Sequence, residues 1–203
     1  GDSLGLDTKK YEIKKVADLF KQFIYDETYK PFFSTIDPKI QPVLGFIIAG
    51  YSSGATLAEE WRLEIINGEC RGPELIRKPE EVGVAWGGDM RAISRLIFGF
   101  DPQLPGILLE MGTKESDIPK AMEYIKSKTE VAVIPAAMPI QDAIDAAKFL
   151  AETTIGFTHF LPEAPIVGGP IEIATITKHE GFKWITRKHY YDRKYNPRCP
   201  HVL

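Results

Sequence analysis

Val167-Gly168-Gly169-Pro170-Ile171-Glu172-Ile173-Ala174-Thr175-Ile176-Thr177 lies between an amphipathic helix and a second apolar run, Phe182 to Arg187. The glycine pair opens the segment, and the β-branched residues behind it predict a strand over Ile171 to Thr177. Lys178-His179-Glu180-Gly181 is a turn in which Gly181 can take the positive φ that other residues resist, so the strand returns as a hairpin. Upstream, Met138-Pro139-Ile140-Gln141-Asp142 opens a helix. Ile140, Ala143, Ile144, Ala147, Leu150, Thr154 and Ile155 form its apolar stripe, so one face of it belongs to a core. A polar, tyrosine-rich tail runs from Lys188 to Leu203, which leaves residues 1–187 as a single expected domain.

The front of the chain begins with a second amphipathic pattern. Between Lys9 and Lys30, Ile13, Val16, Ala17, Phe20, Phe23 and Ile24 recur at helical steps, and the helix is expected to stop before Pro31. After Asp37-Pro38 and Gln41-Pro42, the run Val43 to Tyr51 is apolar at odd and even positions alike, which predicts a strand covered on both faces. Ser52-Ser53-Gly54 turns the chain into Leu57 to Asn67, where Trp61, Leu63 and Ile65 alternate with Arg62 and Glu64 as in a half-buried antiparallel strand. Asn67-Gly68 is the next turn. Arg71 to Glu81 reads as a connector, Val82 to Trp86 as a third strand, and Gly87-Gly88-Asp89 as its end, with Asp89 placed to cap a helix through Phe98. Asp101 to Thr129 holds two possible helical stretches, the second starting at Asp117-Ile118-Pro119. Helices and strands run in blocks, which predicts an α+β fold of antiparallel sheets between helical layers.

Composition narrows the partners. With 203 residues, 44% of them hydrophobic and 26% charged, the chain can bury one substantial core. A formal charge of −3 gives no general attraction to phosphate backbones or anionic membranes, so nucleic acid and membrane are not expected partners. The longest apolar runs, around Val43 to Ala49 and Ile107 to Met111, fall short of the roughly 20 residues a membrane helix needs. Gly1 to Asp7 lacks the basic-then-apolar order of a secretory signal, and cytoplasm is the default expectation. Cys70 and Cys199 are far apart and form no Cys-x-x-Cys pair, so neither a redox motif nor a zinc site is expected, and no cofactor or metal is implied.

Several constellations have a chemical and a plain reading. His179-Glu180, and His189 with Asp192, pair an imidazole with a carboxylate, but their turn and tail positions favour solvated surface. His159 beside Phe157 and Phe160 reads as a packed or hydrogen-bonded histidine. Ser52-Ser53-Gly54 is half of a nucleophile elbow without its Gly-x-Ser-x-Gly spacing, and reads as a turn. Glu59 and Glu60 are adjacent on a strand and face opposite ways, so they do not converge as an acid–base pair. Gly87, Gly88 and Asp89 are the candidate substrate-binding residues, because a glycine backbone admits a reacting carbonyl to its amides; the plain reading is a tight strand-to-helix turn.

The block order, with Gly45-Phe46-Ile47-Ile48-Ala49-Gly50-Tyr51, Gly87-Gly88, Pro139-Ile140-Gln141-Asp142-Ala143-Ile144-Asp145 and Val167-Gly168-Gly169-Pro170-Ile171, resembles the later two thirds of a proteasome-like subunit, of a bacterial branch of the N-terminal nucleophile hydrolases. The resemblance extends over essentially all 203 residues. It implies an αββα sandwich, copies associating with one another, and peptide-bond hydrolysis by an N-terminal Thr, Ser or Cys whose own amine is the base. Gly1 carries no nucleophile, and nothing in Gly1 to Asp7 matches the family's first strand. The resemblance therefore implies about 70 to 100 further residues upstream, cleaved, deleted or supplied by another chain, and no catalytic residue is assigned within these 203. The family's catalytic subunits commonly carry Ser in the glycine turn, and Asp and Ser before the closing Gly-Gly; here the turn is Trp86-Gly87-Gly88-Asp89, and Ala164 and Val167 stand at the other two positions. Those departures point to a rival reading, a non-catalytic assembly subunit of the same fold. An unrelated α+β ligand-binding module is the third.

Overall fold

The computed structural model describes residues 7, 9–135, 137–164 and 166–188, so the tail from His189 onward, with Asp192 and Cys199, lies outside the described residues. The chain is mixed α+β with antiparallel sheets, and its described residues fall into two compact units: those up to Met90 with those of 132–137, and 91–131 with those from Met138 to Lys188.

In the first unit, helix α1 (Ile13–Lys21) continues through a π-helical segment, Gln22–Tyr29, into the short α2 (Lys30–Phe33). Ile13 and Ala17 are buried and Phe20 meets Phe46 edge-on at 5.1 Å, as the helical period predicts. Phe23 departs from expectation and is 54% exposed. Each π turn takes in an extra residue, so the inward face falls behind the α-helical period and passes to Tyr25 and Tyr29. Their hydroxyls donate to the carbonyls of Gly68 (2.9 Å) and Pro42 (2.7 Å). Pro31 does not end the helical path, because it occupies an N-terminal position of α2, where a missing N–H is tolerated.

The sheet has the order β1 (Leu44–Gly50), β2 (Glu59–Ile66), β3 (Glu69–Leu75), antiparallel throughout, with Leu44 opposite Ile65 and Gly50 opposite Glu59. α1 packs on the face carrying Phe46, Leu63 and Ile65; Leu63 and Ile65 are fully buried at 0%. A side chain on Gly50 would lie 2.7 Å from the Ile13 side chain, so glycine is what lets helix and strand approach. β1 is covered on one face only, contrary to expectation: exposure alternates along it and Ile47 is 45% exposed. Ile47 stands opposite Arg62, and the neighbouring Gly45 opposite Glu64, so the apolar outer positions of β1 border a charged strip of β2.

The third strand also differs from the sequence reading. Asn67 and Gly68 both have positive φ, the two-residue hairpin pattern, so β3 begins at Glu69 at once. Its Gly72, Pro73 and charged residues conceal it as a connector, yet such residues are what an edge strand tolerates. Val82 to Trp86, expected as a strand, is irregular.

In the second unit, α3 (Arg91–Phe98) buries Ala92, Ile93 and Ile97 and packs on α5 (Ile118–Thr129) and on α6 (Ile140–His159). α4 (Leu104–Glu110) and α5 resolve the undecided stretch into two helices, and the Val131 amide donates to the Ile97 carbonyl at 2.8 Å. Leu150 and Thr158 are buried on the second half of α6, which also packs on β4 (Ile173–Thr177); Ile140, Ala143 and Ala147, expected in its apolar stripe, are exposed. β4 and β5 (Gly181–Thr186) form the expected hairpin, with Gly181 at φ 66°. The strand starts at Ile173, two residues later than the sequence suggests.

Candidate functional site

Gly87 and Gly88 lie in an exposed turn, and Asp89 is half-buried two residues before α3. Gly88 has φ 78°, a conformation that disfavours any residue with a Cβ. A Cβ built on either glycine meets nothing within 4 Å. The space beside each glycine Cα is therefore open to an approaching group.

The serine turn has a structural task. Ser52 Oγ accepts from the Ile13 amide (3.0 Å) and Ser53 Oγ from the Tyr11 amide (2.9 Å), while the Ser53 amide donates back to the Tyr11 carbonyl (2.8 Å). The first amide of α1, that of Ile13, is thus met from a distant turn, since Glu12 at the cap position makes no side-chain capping bond. Ser52 in turn donates to Glu59 Oε1 at 2.5 Å, and Trp61 Nε1 donates to Glu59 Oε2 at 3.1 Å. A hydroxyl that accepts from the Ile13 amide and donates to the Glu59 carboxylate is held from both sides, and Ser52 anchors the start of α1 to this turn.

Glu59 and Glu60 diverge as expected. Glu60 pairs with Arg77 at 3.1 Å, a partner that no sequence spacing indicated, since Arg77 lies in an irregular segment. His179 is exposed in the hairpin turn. His159, expected to be packed or hydrogen-bonded, is exposed, and its ring meets that of Phe160 at 4.9 Å, itself 85% exposed. Burial pushes the Cys70 thiol above the usual thiol range, with nearby Lys21 opposing and Asp26 adding to the shift. That makes Cys70 a poor nucleophile near neutrality. Among the described residues no three His, Cys, Asp or Glu gather as a metal site, and no helix is long and apolar enough to cross a membrane.

Comparison with protein-family models, with curated proteins and with solved structures returned no match.

Proposed function

We propose that these 203 residues are the scaffold of a proteasome-like N-terminal nucleophile hydrolase, an αββα subunit that associates with copies of itself. The nucleophile lies outside these residues, and Gly87, Gly88 and Asp89 border the peptide substrate. What supports this reading is the order of elements in the resemblance together with one geometric observation: the Gly87-Gly88 turn is exposed, with open space beside both glycines. Large apolar side chains exposed in both units, among them Ile47, Phe149, Phe182 and Trp184, support association.

A second reading, a non-catalytic assembly subunit, is favoured by Ala164, Val167 and the absence of Ser from the glycine turn. The two part in one experiment, peptide hydrolysis by the protein isolated with everything that accompanies it in the cell, wild type beside Gly87→Val. Gly87 has room for a side chain, so the fold is retained while the amide is screened. The hydrolase reading expects a loss of roughly 100-fold or more in turnover at unchanged melting temperature, the scale of one lost oxyanion donor. No hydrolysis by the wild type would leave the assembly subunit as the function.

A further inference from the structure

β2 carries Glu60 on the outer face of the sheet, opposite to Leu63 and Ile65. The residue across from it on β1 is Ala49, and on the β3 side the Ile76 amide donates to the Glu60 carbonyl at 2.9 Å, so neither neighbour brings the carboxylate a charge. Arg77 brings one: its Nη2 lies 3.1 Å from Glu60 Oε2. Only 13% of the Arg77 side chain is exposed, low for an arginine in an irregular segment.

After Arg77 the chain doubles back. The Glu81 amide donates to the Lys78 carbonyl at 2.9 Å, and the Glu81 carboxylate accepts from the Lys78 amide at 3.3 Å, which closes residues 78–81 into a turn. The returning limb then meets the guanidinium it left. A Cβ built on Gly83 would stand 2.6 Å from Arg77 Nη1 and 3.3 Å from Cζ. Gly83 is not among the residues with positive φ, so what glycine supplies here is close approach. One planar guanidinium thus reaches the sheet through Nη2 and the returning limb through Nη1.

We infer that Arg77 is a latch: held by Glu60, it fixes the returning limb 83–89, and with it the Gly87-Gly88-Asp89 turn that the limb carries. Loss of the ion pair releases the limb while the sheet stays folded. Arg77 does this in either functional reading, since only the placement of the turn is at stake. Glu60→Gln and Arg77→Gln each remove one charge of the pair. Gly83→Ala acts from the other side, because the added methyl group displaces the end of the arginine side chain.

Chymotryptic cleavage after Trp86, read by mass spectrometry on the full chain, tests the latch. Trp86 is half-buried in the limb, and cutting there requires the limb to open. The rate is taken relative to the cut after Trp184, which lies in the second unit. Each of the three single variants is expected to raise the ratio about tenfold, the scale of one lost charge-assisted hydrogen bond. The Glu60→Gln/Arg77→Gln double variant is expected to match Arg77→Gln alone, because the two residues act as one pair. Glu74→Gln, which removes a carboxylate set opposite Arg62 on β3, is expected to match the wild type. Cleavage after Trp61, in β2, stays slow while the sheet is folded. For a variant that fails this check the wild type decides, through a nuclear Overhauser contact expected between the Arg77 guanidinium protons and the Gly83 α protons. An unchanged ratio in the folded single variants, effects of Glu60→Gln and Arg77→Gln that multiply in the double variant, an equal rise in Glu74→Gln, or absence of the Overhauser contact overturns the latch.

Discussion

Leu63→Ala removes three carbons from the middle of β2, under α1, at a position with no solvent exposure. At about 0.8 kcal/mol per buried carbon the transfer term alone is about 2.4 kcal/mol. The remaining cavity adds to it, because β2 is held on both sides by β1 and β3 and cannot collapse inward. The expected loss is therefore about 3 kcal/mol, a large share of the 5 to 15 kcal/mol typical of a domain. Urea unfolding followed by tryptophan fluorescence reads it out, since Trp61 is two residues away on the same strand. With m near 2 kcal/mol/M, the midpoint should fall by roughly 1.5 M at unchanged m. Leu75→Ala, on the partly exposed β3, is the comparison and should cost about 1 kcal/mol or less. A Leu63→Ala loss below about 1 kcal/mol, or equal losses for the two variants, would refute the claim that the α1 face of this sheet is the core of the first unit.

Three further outcomes are expected. Burial, aided by the nearby Tyr25, raises the Tyr29 hydroxyl above its ordinary value of 10.0; above that pH the unfolded chain loses a proton that the native state keeps, so stability is level below pH 10 and falls above it, and Tyr29→Phe should flatten the fall in alkaline urea titrations while costing about 1 kcal/mol at pH 7 for the lost bond to Pro42. Gly72 has φ 90° and a Cβ there would strike the Arg62 carbonyl, so Gly72→Ala should cost at least about 2 kcal/mol, whereas Gly106→Ala, in α4 with open space around it, should gain up to about 1 kcal/mol; opposite shifts of melting temperature check both. Alkylation of Cys70 by iodoacetamide should be slow at pH 8 and rise only above the usual thiol value of 9.0, and fast labelling at pH 7 would contradict its burial.

What could be read from the residues was whatever local chemistry fixes. The period of Ile13, Ala17 and Phe20, the alternation of Trp61, Leu63 and Ile65, and the turns at Asn67-Gly68 and Gly181 are each set by neighbours in sequence, and the structure has them in place. Three features are set by distant partners and were not legible. The π winding that turns Phe23 outward accompanies the tyrosine bonds to Gly68 and Pro42, which no helical period encodes. β3 is a strand because the hairpin brings it against β2, while its own residues read as a connector. β1 looked doubly buried from its residues alone, and the outer face is open because the charged positions of β2 share it. At the candidate site the glycine turn was visible in sequence; the engagement of Ser52 with Ile13 and Glu59, and of Arg77 with Glu60, was not.

The most direct test of the hydrolase reading is intact-mass and N-terminal analysis of the protein isolated from the cells that make it, after treatment with a β-lactone electrophile that acylates N-terminal hydroxyls and thiols. The account predicts one added acyl mass on a first-residue Thr, Ser or Cys, carried by a companion peptide or by a longer form of this chain. No such adduct in excess reagent, and no chain beginning with Thr, Ser or Cys, would contradict it.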